Sequence, residues 1–373
     1  MASLTEISAV ARKTVIAVIV VSVVLVMARV TYVYGKKIYL AMNPPECPLP
    51  TARFGVLPAL SFPDQEDFEL NYRLETPTLT TTDFGPNIKV YFVTPKQSNL
   101  LALDRAKKQA ASLGFVFEPT QVSDFVHRWD KTDPLPARME MDIVRESFTI
   151  DVDWEINPGF LRNKLIPDEQ QAINDTRSLL KRAGFLPNDM ADGESKVTLL
   201  EYKSGEFIQA PSLSEADFVM VDLFRKSRIQ QVNRAEMTAD QIRCLDVTGS
   251  GQILPANPNK GLARVLISGS RNQSERYVSI EYKHTQIVYD QWETYPIISG
   301  REAWNRLQNG GGFVAVRPDG SDEAVVRRID LGYYDSLDDS TYLQPIYIFT
   351  GDEFVGYVSA VADGFIQNNE KSN

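Results

Sequence analysis

The sequence predicts an α+β protein: an N-terminal transmembrane helix followed by two or three modules, each a helix packed on an antiparallel sheet. Three observations carry that expectation. One apolar run near the N-terminus is long enough to span a bilayer. Alternating apolar and polar positions recur in pairs of short segments through the rest of the chain. Helical patterns closed by Gly-Phe precede two of those pairs.

Residues 1–13 read as a cytoplasmic N-terminus and residues 14–34, TVIAVIVVSVVLVMARVTYVY, as the transmembrane helix. At a rise of about 1.5 Å per residue such a segment reaches about 31 Å, against a hydrocarbon core of roughly 30 Å. Arg29 is the one charge, six positions from the end, where its stem can carry the guanidinium to the headgroups. Tyr32, Tyr34 and Tyr39 form an interfacial aromatic belt beside Lys36 and Lys37. The competing reading is a signal peptide cleaved after Val26-Met27-Ala28, but the apolar character continues beyond Arg29. A single early apolar segment acts as a signal-anchor, which puts the C-terminal bulk outside the cytoplasm. The expected location is therefore the plasma membrane, single-pass and extracytoplasmic, with the lipid bilayer as a partner through residues 14–34.

Residues 43–63 hold six prolines and read as a Pro-rich stalk, with Phe54, Leu57, Leu60 and Phe62 laying its second half on the folded part. The first module, residues 64–156, holds a strand at Ile88–Val93 and a helix over Asn99–Leu113 capped by Gly114. A hairpin follows, in which Met139, Met141, Ile143, Phe148, Ile150, Val152 and Trp154 alternate with polar residues. The second module, residues 157–239, opens with a helix over Pro167–Arg182 closed by Gly184 and Phe185. A hairpin Lys196–Ala210 turns at Lys203-Ser204-Gly205, and a strand covers Asp217–Phe224. Residues 240–261 read as a long loop. The third module, residues 262–363, has strands at Ala263–Ile267, Tyr277–Tyr289, Val325–Tyr333 and Tyr342–Phe349, a helix at Gly300–Leu307 and a last strand at Glu353–Val361. Residues 364–373 read as a disordered tail.

The net charge is −10, and residues 1–42 carry five basic side chains against one acid, which leaves −14 on the remainder. An acidic chain disfavours nucleic acid as a partner. Two cysteines and two histidines exclude a disulfide scaffold and a multi-histidine metal site.

Chemistry-bearing groups are sparse. Asp151, Asp153 and Glu155 share one strand face about 7 Å apart, a spacing that suits acid–base glycoside chemistry, but the opposite face is apolar and the acids read more simply as its solvent side. Asp335, Asp338 and Asp339, with Asp319, Asp322 and Glu323, form oxygen-rich loops without EF-hand spacing. His127 stands near Asp130 with no nucleophile motif, and His284 lies at a hairpin turn. Gly310-Gly311-Gly312 follows a helix rather than leading into one, so it does not make a phosphate cradle, and Thr248-Gly249-Ser250-Gly251 fails in the same way. Cys47 and Cys244 could pair outside the cytoplasm, and Asn174 and Asn272 match the glycosylation pattern. No residue is assigned as catalytic, cofactor-binding or metal-binding.

The last hundred residues resemble the closing module of single-pass YycH/YycI-type regulators with PepSY-like folds. The counterparts are Ile298-Ser299-Gly300-Arg301-Glu302-Ala303, Leu331-Gly332-Tyr333-Tyr334 and Gln344-Pro345-Ile346-Tyr347, within about a quarter of the chain. The resemblance implies a partner, the envelope part of a sensor histidine kinase that such regulators restrain, and no catalytic residues. The expected function is thus non-enzymatic: an acidic extracytoplasmic α+β domain that binds protein partners at the cell envelope. The alternatives are an envelope hydrolase, in which Asp142, Asp151 or Asp153 converges with His127, and a structural subunit of a surface assembly.

Overall fold

A computed structural model describes residues 20–36, 38–39, 49–65, 68–76, 84–157, 160–161, 165–229, 251–337 and 340–367. Residues 49–65 run over the fold surface, and Leu57 within them is fully buried beside Ile366, to whose strand-like backbone it pairs in parallel. Phe54 packs on Tyr342 and Phe62 stacks on Phe313.

Strands β1 (Asn71–Leu74) and β2 (Asn87–Val93) come next. In β2 both faces are mostly buried, the pattern of a strand covered on two sides rather than a hairpin edge. Helix α1 (Ala102–Ser112) then turns Ala102, Ala106 and Ala110 inward. Its start is set by Asn99, whose side chain accepts from the Leu101 amide at 3.0 Å, so Leu100 and Leu101 stay exposed outside the helix. Strands β3 (Thr120–Gln121), β4 (Val126–Lys131), β5 (Ala137–Asp142) and β6 (Ser147–Val152) follow as an antiparallel meander.

Helix α2 (Glu169–Ala183) begins at Asp168, whose carboxylate accepts from the Gln171 amide at 2.8 Å, and ends at Gly184 with φ +80°. A one-turn helix α3 (Asn188–Ala191) precedes the hairpin β7 (Ser195–Lys203) and β8 (Glu206–Gln209), then β9 (Phe218–Leu223). The turn residues Ser204 and Gly205 have φ +57° and +90°, the double left-handed geometry of a two-residue hairpin. After β10 (Ile253–Leu254) come β11 (Ala263–Ser268), the short helix α4 (Gln273–Arg276) and β12 (Tyr277–Tyr282). The chain closes with β13 (Ile287–Pro296), helix α5 (Gly300–Gln308), β14 (Phe313–Val316), β15 (Glu323–Val326), β16 (Arg328–Tyr334), β17 (Tyr342–Thr350) and β18 (Val355–Ser359).

These strands form two large sheets. The first is nine-stranded in the order β3-β4-β5-β6-β12-β11-β9-β7-β8, and α1 and α2 share its core with Met139, Phe148, Val221 and Val265. The second is seven-stranded: β10-β16-β17-β18-β14, with β2 joined to both β17 and β13. Leu331, Tyr347 and Phe349 form its core with Ala303 and Leu307 of α5. The pair β1–β15 is parallel. The first sheet is inserted in the second: the chain leaves β2 at Val93 and returns beside it at Ile287, these two residues facing each other across the ladder, and within the excursion β10 pairs back to β16.

Two expectations are corrected. The fold is mostly β, two continuous sheets instead of a row of small helix-on-sheet modules. Pairing of β6 with β12, Asp151 opposite Ser279 through Phe148 opposite Tyr282, fuses what the sequence separates, because an open hairpin edge is satisfied by the next available strand. The expected N-terminal transmembrane helix is also not found. No described helix is long and apolar enough to cross a membrane. The described part of the helical run there covers residues 20–36 and 38–39. Residues 14–19 of the expected span lie outside the described residues.

Candidate functional site

The carboxylates and histidine singled out from the sequence do not meet. In the register of β4, β5 and β6, Val126 faces Asp142 and His127 faces Met141. Asp142 faces Ser147, two pleats from Asp151 on the same strand. Asp142 and Asp151 therefore project from one side of the sheet and His127 from the other. His127 is buried near Trp129, and its Nδ1 has no described partner. Asp142 is held by its own turn, accepting from the Val144 and Arg145 amides at 2.9 and 2.8 Å and from the Arg145 guanidinium at 3.1 Å. Asp151 accepts from Ser279 Oγ at 3.1 Å. Beyond β6 the strand pattern stops: Asp153 precedes a 3₁₀ turn, Trp154–Ile156, and Glu155 accepts from the Tyr202 hydroxyl at 2.6 Å.

Asp322 and Glu323 are exposed, whereas Asp335 is buried elsewhere. No group of three or more His, Cys, Asp or Glu among the described residues could hold a metal ion. Cys47, Cys244, Thr248, Gly249, Ser250, Asp338 and Asp339 lie outside the described residues. Gly312 is a packing residue: a Cβ there would stand 2.7 Å from Leu307 Cδ1 and 2.9 Å from the Tyr357 carbonyl, so its lack of a side chain lets the exit of α5 close on β18. Asn174 lies on α2, and Asn272 caps α4.

The charged groups that do converge are Asp189, Arg225, His284 and Asp335, at the seam between the two sheets. Asp189 is in α3, Arg225 follows β9, His284 and Thr285 connect β12 to β13, and Asp335 follows β16. The Arg225 guanidinium, 2% exposed, donates to Asp189 Oδ2 at 2.9 Å, to Asp335 Oδ2 at 2.9 Å and to the Thr285 carbonyl at 2.8 Å. Thr285 Oγ1 donates to Asp335 Oδ1 at 3.1 Å. His284 Nε2 stands 3.1 Å from each Asp189 oxygen. Burial pushes the His284 imidazole below its ordinary pKa and the Arg225 charge adds to this, while the hydrogen bond to Asp189 opposes it. Burial alone would raise Asp189, but the hydrogen bond from His284 and the charge of Arg225 hold it below the usual carboxylate range. The result is a neutral imidazole donating from Nε2 to an ionised carboxylate. Asp189 and Arg225 escape sequence reasoning. The one available signal is a charge directly after the apolar run FVMVDLF, where an arginine leaving a buried strand needs an anion.

Beside this network lies a cavity of 390 Å³ whose lining includes Lys283, His284 and Thr285 together with Lys96, Phe125 and Arg145. A neighbouring cavity of 580 Å³ shares Asp142, Arg145, Ser147, Lys283 and Leu337 with it, so the two form one cleft along the seam.

A second feature is the outer edge of β8. All four residues of this strand are exposed, with Phe207 at 43% and Ile208 at 42%, and no described strand pairs with its free side. Ala210 donates to the Leu199 carbonyl at 2.9 Å, which fixes the ladder phase. The main-chain groups of Phe207 and Gln209 then point outward, away from β7. By contrast, the β14 edge of the other sheet is closed by Gln65, whose side chain donates to the Val314 carbonyl at 2.7 Å and accepts from the Val314 amide at 3.0 Å.

No family model matches the chain, and no curated protein matches it. Among solved structures, an uncharacterized protein from Eubacterium rectale is similar over 81% of this chain and 85% of that chain, at 10% sequence identity and a TM-score of 0.31. At that score the two folds superpose too poorly to carry function from one to the other.

Proposed function

We propose that the protein is a non-enzymatic binding protein of the cell envelope, whose nine-stranded sheet accepts an extended segment of a protein partner along the outer edge of β8. The observation that carries this reading is the edge itself, with whose free side no described strand pairs. Phe207 and Gln209 offer outward N–H and C=O groups, and Phe207 and Ile208 offer apolar side chains on alternate faces. Such an edge is ordinarily blocked, as Gln65 blocks β14, so an edge left open on a large sheet is a place for another chain. The resemblance of the C-terminal part to YycH/YycI-type regulators makes the envelope part of a sensor kinase the partner class to test first.

The test is site-specific photocrosslinking from position 208 in intact cells. The expected result is an adduct of defined mass containing a sensor kinase, lost in Gln209→Pro, which removes one outward N–H while leaving the β7–β8 ladder intact. An adduct unchanged by Gln209→Pro, or no adduct in membrane fractions that contain the protein, would overturn the reading.

A further inference from the structure

We infer that a third cavity, between the C-terminal ends of α1 and α2 on the helix-covered face of the nine-stranded sheet, binds a small monoanionic carboxylate with an apolar body, held by Lys131 and Arg182. The cavity measures 310 Å³, at the lower bound of small-molecule sites, about 300–1,000 Å³. It shares no residue with either seam cavity or with β8. Ser112 comes from the end of α1 and Phe115 from its exit. Leu179 and Arg182 belong to the last turns of α2, and Lys131 ends β4. Ile150 and Ile280, which face each other across the β6–β12 ladder, lie beneath.

Neither cation has an ion pair among the described residues. The half-buried Lys131 ammonium lies over the Phe115 ring, 4.9 Å from its centroid, and that is its one described contact. The end of α1 does not serve it: the Ala110 carbonyl accepts from the Leu113 and Phe115 amides, and the Ala111 carbonyl from the Gly114 amide. Asp130, its neighbour in β4, is taken by Arg128 and Arg138. Burial pushes the Lys131 ammonium below its ordinary pKa, as expected of a charge desolvated without a counter-ion. The Arg182 charge reaches the Tyr277 hydroxyl, also in the lining, and works against the rise that burial causes there. Cations close by but outside the lining are matched, Lys107 with Glu118 at 2.6 Å and Arg276 with Asp175 at 2.5 Å.

The rest of the lining sets the ligand class. Its one carboxylate, Asp133, is exposed, so Lys131 and Arg182 leave one positive charge in excess. Phe115, Ile150, Val152, Leu179 and Ile280 supply buried apolar wall. The Ser112 hydroxyl already donates to the Lys108 carbonyl at 3.0 Å, and the Ser274 hydroxyl to Asn272 Oδ1 at 2.7 Å. The strong donors that remain are therefore the two charged groups, which suits an anion and not a sugar. A doubly charged, strongly hydrated anion would lose more hydration against the apolar wall than a single excess charge returns. A carboxylate on an apolar body satisfies both halves of the lining.

The experiment is calorimetric titration of the full chain with phenylacetate, with phenethylamine as the matched cation, 2-phenylethanol as the neutral body and inorganic phosphate as the hydrophilic anion. The expected result is saturable one-to-one binding of phenylacetate, with none of the three controls competing. Lys131→Met keeps the stem and removes the charge, and should weaken binding about tenfold. It should leave the thermal melt in place or raise it, because the fold gives that ammonium no counter-ion. Lys108→Met, exposed on α1 outside the lining, should leave the affinity unchanged. Ser112→Trp, at the exposed end of α1, should fill the cavity and abolish binding without lowering the melt. No saturable binding of phenylacetate, equal binding of a control, undiminished binding in Lys131→Met and Ser112→Trp, or a lowered melt of Lys131→Met would each overturn the inference.

Discussion

Arg225→Ala is the substitution with the clearest consequence. The side chain is 2% exposed and is the sole described cation between Asp189 and Asp335, each within 2.9 Å of it. Removing it leaves two buried carboxylates without their counter-charge, together with the Thr285 carbonyl it also serves. Breaking one buried pair costs about 3–5 kcal/mol. Here one truncation breaks two contacts that share a donor, so their costs overlap and a loss of about 4 kcal/mol is expected. With a urea slope of roughly 3 kcal/mol per M, the midpoint falls by about 1.3 M. Tryptophan fluorescence reports both units, since Trp129 and Trp154 belong to the core of the first sheet and Trp304 packs on that of the second. The loss should therefore appear as separation of one transition into two. Arg225→Lys should restore only part of the stability, because a single ammonium cannot span both carboxylates. Asp189→Asn with Asp335→Asn, added to Arg225→Ala, should recover part of the loss. A loss under about 1 kcal/mol, or no recovery on neutralising the carboxylates, would refute the reasoning.

Four further outcomes follow from named contacts. His284 is held neutral in the fold with its pKa below the ordinary 6.5, so the unfolded chain binds the proton first as pH falls. Its contribution is complete above pH 6.5 and is lost below that value, at up to about 1.4 kcal/mol per pH unit, until the lowered folded value is reached; denaturant melts across this window should show the slope, and His284→Asn should abolish it. Asp189, also lowered, loses its contribution in a separate window below its ordinary 3.8. Leu57→Ala should cost about 2–5 kcal/mol by the same melts and speed proteolysis of residues 49–65, because a fully buried side chain holds that segment to the fold. Asp168→Ala should cost about 1 kcal/mol by leaving the Gln171 amide uncapped, and Asp168→Asn should restore most of it.

Local chemistry was the legible part of this fold. Gly184 closes a helix because it takes φ +80°, and Ser204-Gly205 turns a hairpin because both residues take positive φ; such demands are written in single residues. Strand partnership was not legible. Nothing local in IKVYFV says that β2 leaves its neighbours in sequence for β13 and β17, which are about 200 and 250 residues away along the chain. His284 reads as a hairpin turn, yet β12 and β13 on either side of it belong to different sheets, and the side chains of His284 and Thr285 turn into the seam network. Val126–Lys131 was not expected as a strand because His, Arg, Asp and Lys interrupt its apolar pattern. The same limit hid the candidate site. Individual acids were visible, but Asp189, Arg225 and Asp335 acquire meaning only when helix α3, the end of β9 and the end of β16 are brought to one place.

The excursion that carries the first sheet leaves and re-enters the second side by side, and β10 within it pairs back to β16. Val93 faces Ile287, and the Thr94 amide donates to the Gln286 carbonyl at 2.9 Å. Nearly two hundred residues thus depart and return through a gap that one hydrogen bond spans. In polymer terms the excursion is a closed loop whose ends are already tied, so its length places almost no further entropic demand on the sheet that carries it. The seven-stranded sheet behaves as a socket, and the nine-stranded unit as a cartridge seated in it. Exchange of the cartridge would need a unit that keeps the Val93–Ile287 closure, brings a buried charge to meet Asp335 and returns a strand in the place of β10 beside β16.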